Sequence, residues 1–186
     1  MINILEILMI ISTFMYSYLI LYCKRSSFIY GIISSSIMTY ILISSGVCIQ
    51  ATLNIIYIIT YIYSFILWKK QEDKLKISNI SIRGGILSGV YILSFTLFIG
   101  CAFTRLNASY PYLDAFSSAC SMSAIFLLSK KIIQNAHVFI MANIASIIIC
   151  YMTNDYLTIL SFIIYIIFNV IRIFTWRKIK EKESVA

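Results

Sequence analysis

The chain has 186 residues, 61% of them hydrophobic and only 12% charged, with a formal charge of +8. A water-soluble domain of this length needs a polar surface that such a composition does not supply. Nucleic-acid binding would require the cations on one soluble face, whereas here they fall between long apolar runs, so the chain reads as an all-α membrane protein.

A bilayer core is roughly 30 Å thick and a helix rises about 1.5 Å per residue, so a span needs about 20 mainly apolar residues. Seven stretches qualify, at residues 3–22, 28–45, 51–68, 85–103, 112–129, 132–152 and 156–176. None alternates polar with apolar as a barrel strand must, and only helices satisfy their own backbone in lipid.

The first stretch carries Glu6 and no preceding Lys or Arg, so it reads as a span and not as a signal peptide. Cys23 follows it, but bulky Tyr22 stands where a lipid-attachment motif wants a small residue. The third stretch carries a polar stripe at steps of three and four, Gln50, Asn54, Tyr57, Tyr61 and Ser64, and closes on Trp68 and a basic cluster. In and beside the fourth, Gly84, Gly85, Gly89 and Gly100 read as close-packing positions. Pro111 precedes the fifth, where a missing N–H costs nothing.

Asp114, Ser117, Ser118 and Ser121 share a face of the fifth stretch, and Asn135, Phe139, Asn143, Ser146 and Cys150 a face of the sixth. The seventh carries Thr158, Ser161, Tyr165, Asn169 and Arg172. Asp114 and Asp155 read as helix-start residues. Trp68 and Trp176 read as interface anchors, and Arg172 as a side chain reaching out to the same boundary.

Seven crossings send fourteen of the fifteen Lys and Arg residues to one side and leave Arg105 alone on the other. The positive-inside rule then places the amino terminus outside and the carboxyl terminus in the cytoplasm. The basic segment from Arg177 to Lys182 is a topology anchor near anionic headgroups.

At an offset of 108 residues the third span matches the seventh, Tyr57-Ile58-Ile59 against Tyr165-Ile166-Ile167, Trp68 against Trp176 and Lys70 against Lys178. Basic pairs after the first and fifth spans repeat the same layout. The expected plan is three helices, a linker helix and three more: a first repeat with its cytoplasmic loop over residues 1–83, the linker and an outer loop over 84–110, a second repeat over 111–178 and a tail over 179–186. An odd linker gives the two repeats the same orientation, the arrangement of SWEET-like transporters.

Polar groups at lipid depth are costly, so four such stripes point to a cavity lined by amides, hydroxyls and tyrosines, suited to a polar solute with an aromatic ring. The competing reading is that they only bond helices together. Asn143, Asn54 and Asn169 would read hydroxyls and carboxamides; Tyr57, Tyr61, Phe139 and Tyr165 would stack or line; Ser118 and Ser121 would add hydroxyls. One histidine, His137, and five isolated cysteines form no catalytic or metal-binding set, and no phosphate-cradling glycine loop occurs, so neither enzyme nor cofactor is expected. Cys48, Cys101 and Cys150 lie towards the outer face, where a disulfide stays open beside the commoner reading as small apolar residues.

Tyr110-Pro111-Tyr112-Leu113-Asp114-Ala115-Phe116 with Ser117 and Ser118 resembles the opening of the fifth span in PnuC-type nicotinamide riboside transporters. The likeness continues through Lys130-Lys131, Asn143, Tyr156-Leu157-Thr158 and Trp176-Arg177-Lys178, and more weakly through Tyr30 to Ser34 and Tyr63 to Lys70. It implies facilitated diffusion of a vitamin-like nucleoside through a bacterial inner membrane by rocking of two three-helix halves, with trapping by a cytosolic kinase. The implied site lies among the second, third, fifth, sixth and seventh helices. Departures fall at Ala136, Phe139, Ser64, Phe65 and Ile125, where the family usually carries tryptophan, glycine or glutamine. They keep thiamine and riboflavin open beside nicotinamide riboside. A homo-oligomer also stays open, as do two rivals: the substrate-binding subunit of an energy-coupling vitamin importer, and a membrane scaffold that transports nothing.

Overall fold

Apolar runs of this length, with no proline inside them, can satisfy their backbone only as continuous helices. In a computed structural model that describes residues 4–45, 48–71, 75–105 and 108–185, they do so. The helices are α1 (Ile4–Leu21), α2 (Ser27–Ser44), α3 (Cys48–Lys70), α4 (Ile82–Arg105), α5 (Pro111–Ser129), α6 (Asn135–Met152) and α7 (Tyr156–Val185). Among the described residues, all seven include a segment long and apolar enough to cross a membrane. Pro111 opens α5 as expected, and the Asp155 carboxylate accepts from the Thr158 N–H at 3.2 Å, capping α7.

The chain forms two compact units, Met1–Lys76 and Ile77–Ala186. In the first, α2 packs against both α1 and α3. In the second, α6 packs likewise against α5 and α7, and α4 lies on α5.

The two trios share one register. At an offset of 108 residues α2 and α6 coincide at both ends, α3 and α7 at their starts, and α1 and α5 at their last residues. The turn after α1 closes through Lys24 N–H to Leu19 O at 3.2 Å and Cys23 N–H to Ile20 O at 3.2 Å. The turn after α5 closes through the corresponding Ile132 to Leu127 bond at 3.1 Å and Lys131 to Leu128 bond at 2.9 Å. Each turn places one non-glycine residue in the sparsely occupied left-handed region, Cys23 at φ 54° and Lys131 at φ 51°. Agreement in so uncommon a conformation extends the repeat from the third and seventh spans to all three helix pairs.

One expectation is corrected here. Trp68 and Trp176 are not interface anchors: they are 3% and 0% exposed, and Trp68 meets Phe28 edge-on at 4.9 Å between ring centroids. The basic segment after Trp176 is helical, because α7 continues through it to Val185. There Glu183 accepts from the Ile77 N–H at 3.2 Å, while Ser78 pairs with the α5–α6 turn and Ile80 N–H donates to the Gln134 side chain at 2.8 Å. These bonds strap the segment before α4 to the ends of α5, α6 and α7.

The glycines divide. A Cβ on Gly100 would lie 2.4 Å from the Tyr112 ring, whereas Gly85 and Gly89 have nothing within 4 Å and are not close-packing positions in this chain. Gly100→Ala should therefore lower stability by about 1–3 kcal/mol through overpacking. Gly85→Ala and Gly89→Ala should raise it by about 0.5–1 kcal/mol through helix propensity. Thermal unfolding in detergent reads the signs, and equal shifts for the three variants would refute the assignment.

Candidate functional site

Asn54, Tyr57 and Tyr61 lie on α3 in the first unit; Ser118, Ser121, Phe139, Asn143, Tyr165 and Asn169 lie in the second. Tyr61 is buried, its ring 5.4 Å from that of Tyr16 and 6.4 Å from that of Phe28, with Gly31 leaving room for it. This ring packs inside its own helix trio. Tyr57 is half-buried on the same helix.

The three asparagines differ in what their amides already do. Asn54 donates to the Gln50 carbonyl at 3.0 Å and Asn169 to the Tyr165 carbonyl at 2.8 Å, each bonding back along its own helix. Asn143, half-buried on α6, has no hydrogen bond among the described residues. Among the described residues it is thus the one of the three asparagines whose amide is not bonded back along its own helix.

Ser117 bonds the Ala142 carbonyl at 3.1 Å and the Ser146 hydroxyl at 2.8 Å, joining α5 to α6 as packing glue. Ser118 and Ser121 are half-buried. In the first unit Thr13 and Ser34 bond at 2.6 Å, but the corresponding pair in the second is Ser121 and Ala142, which cannot make that bond.

Phe139 and Asn143 stand one turn apart on α6, hence on one face. The Phe139 ring lies 5.2 Å from the Arg172 guanidinium, and Arg172 donates to Asn169 Oδ1. Phe139, Asn169 and Arg172 thus meet at the α6–α7 seam. Sequence reasoning sent Arg172 to the membrane boundary; the side chain is instead 3% exposed. Its register with Tyr165 and Asn169 was the available signal, since steps of three and four put it on their face. A hollow of about 430 Å³ opens further along, lined by Asn79, Ile133, Gln134, Arg177, Lys180 and Glu181, none of them among the nine expected residues.

A family profile described as nicotinamide mononucleotide transporter matches residues 3–178, almost the whole chain. The chain belongs to this family. Its members are transporters and not enzymes. The fold is similar to that in the crystal structure of the vitamin B3 transporter PnuC, with a TM-score of 0.77 and 17% identity over 96% of this chain and 82% of that one. No curated protein matches the chain. Ser64, Ile125 and Ala136 are fully buried, and the Phe139 ring lies against the Arg172 guanidinium.

Proposed function

We propose that this membrane transporter carries nicotinamide riboside or a related vitamin-like nucleoside by facilitated diffusion into a bacterial cell, with Asn143 as its principal polar contact. Family membership supports the substrate class, and the observation that carries the site is the unpartnered Asn143 carboxamide on the face that also holds Phe139. Asn169, Tyr165, Ser118 and Ser121, in the same unit as Asn143, complete the proposed polar and aromatic lining. Two three-helix repeats separated by α4 form the transporting framework. A cytosolic kinase would retain the product by adding charge to it.

The test is ligand-dependent stabilisation of the purified protein against nicotinamide riboside, thiamine and riboflavin. At a hundredfold excess over Kd a true ligand adds about 2.7 kcal/mol, a readily measured rise in Tm. A rise with nicotinamide riboside supports the proposal; a rise with thiamine or riboflavin alone reassigns the substrate, and no rise with any supports the scaffold.

The charge partition adds an orientation, amino terminus outside and carboxyl terminus in the cytoplasm of a bacterial inner membrane. In intact cells an amino-terminal tag should react with an impermeant reagent and a carboxyl-terminal tag should not. The opposite labelling, or both termini inside, would overturn the orientation.

A further inference from the structure

The hollow of about 430 Å³ lies within the second unit, where the start of α6, the end of α7 and the segment before α4 meet. Its lining is held in place by backbone bonds. Ser78 N–H donates to the Lys131 carbonyl at 3.1 Å, the Ser78 carbonyl accepts from Ile133 N–H at 3.0 Å, and Ile80 N–H donates to Gln134 Oε1 at 2.8 Å, so the chain is fixed on both sides of Asn79. The donors around the hollow are not used up. Neither the Asn79 side chain, the Gln134 N–H₂, the Arg177 guanidinium nor the Lys180 ammonium has a hydrogen bond or ion pair among the described residues. Arg177, Lys180 and Glu181 stand at steps of three and four on α7, which brings two cations and one carboxylate to the hollow from one helix face. Gln134 is the N-cap residue of α6, so the positive end of that helix dipole lies at the same place.

The repeat shows that a three-helix unit does not require this donor set. At the offset of 108 the positions of Lys180 and Gln134 hold Glu72 and Ser26, and α3 ends at Lys70, whereas α7 runs past the corresponding Lys178 to Val185. The hollow belongs to the second unit alone.

A second feature indicates what would carry an anion there. Ile163, Ile167, Val170 and Phe174 are all exposed and follow one another at steps of three and four, a stripe whose next step is Arg177. An exposed apolar stripe at lipid depth that ends in a donor-rich hollow, where the charged residues begin, matches an amphiphile with a hydrocarbon tail and an anionic head. Basic pockets between helices at this level suit phosphate headgroups.

We propose that the hollow binds the phosphate of an anionic phospholipid, with an acyl chain laid along the exposed stripe of α7. A topology anchor needs only that its charges reach the headgroups; a site needs these particular donors. The proposal is independent of the transported substrate.

Native mass spectrometry of the purified full chain with phosphatidylglycerol or phosphatidylcholine tests it in wild type, R177Q/K180Q and K178Q/K182Q. Both double variants remove two charges from the same helix end, but Lys178 and Lys182 do not line the hollow. Wild type should prefer phosphatidylglycerol. R177Q/K180Q should weaken that lipid on the order of 10- to 50-fold, and K178Q/K182Q by less than about threefold. Equal losses in the two variants would mean diffuse attraction to a charged surface and overturn the site, as would a wild type that binds both lipids alike. Glycerophosphoglycerol, the same headgroup without chains, should compete only at concentrations on the order of 100-fold higher, because it forgoes the apolar contact. Competition by it or by inorganic phosphate at the lipid's own concentration would assign the hollow to a soluble phosphate and overturn the lipid assignment. Should R177Q/K180Q fail to fold, K180Q against K178Q decides: selective weakening in K180Q supports the site, and equal weakening refutes it.

Discussion

Replacing Asn143 by alanine is expected to abolish uptake and leave the protein folded in the membrane. The carboxamide makes no hydrogen bond among the described residues, so its removal breaks no internal contact. Its half-buried position also means that truncation leaves no enclosed cavity. A ligand bonded to both ends of the amide would lose about 1–3 kcal/mol per bond, or a factor of roughly 30 to 10⁴ for the two together. Asn169→Ala is the informative contrast. That change removes the bond to Tyr165 and the support of Arg172, so it should lower stability and uptake together. Uptake of labelled nicotinamide riboside, normalised to protein in the membrane, measures both. Wild-type uptake by a well-expressed Asn143→Ala protein would remove this residue from the site.

The contrast between those asparagines was beyond the reach of sequence. A polar stripe gives the face on which a side chain stands, because helical periodicity fixes azimuth. Whether the amide then bends back to the carbonyl four residues earlier is a choice of side-chain torsion. Asn54 and Asn169 make that bond and Asn143 does not, although all three satisfy the same spacing.

The number and order of the helices were legible because length and hydropathy determine what a bilayer accepts. The end of α7 was not. Arg177, Lys178 and Lys180 mark where the apolar span stops, but charge does not stop a helix, and the segment continues to Val185 with Glu183 bonded to the Ile77 amide. Tryptophan misled for a related reason. A tryptophan followed by lysines reports depth near the membrane boundary, yet depth leaves open whether the ring points outward or into its own helix trio. The repeat was readable where side chains still agree, in α3 and α7, and in the basic pairs that follow α1 and α5. Elsewhere it survives in backbone conformation, and neither Cys23 nor Lys131 is a residue type that announces a left-handed turn.

Those buried rings set the other large expectation. Trp176→Ala and Trp68→Ala should each lower stability by about 3–5 kcal/mol, the cost of truncating a buried aromatic side chain. The two positions correspond in the repeat, and both rings are almost wholly enclosed, at 0% and 3% exposure. The environments differ: Trp68 has Phe28 against its edge, and the residue at the position of Phe28 in the second unit is Ala136. An edge-to-face aromatic pair adds about 0.5–1.5 kcal/mol beyond burial. Phe28→Ala should consequently weaken the effect of Trp68→Ala, so that the double variant loses less than the sum of the two single changes. Thermal or denaturant unfolding in detergent supplies the four corners of this cycle. If either single tryptophan variant melts like wild type, that ring is serving the membrane boundary, and its place in the packed interior is wrong.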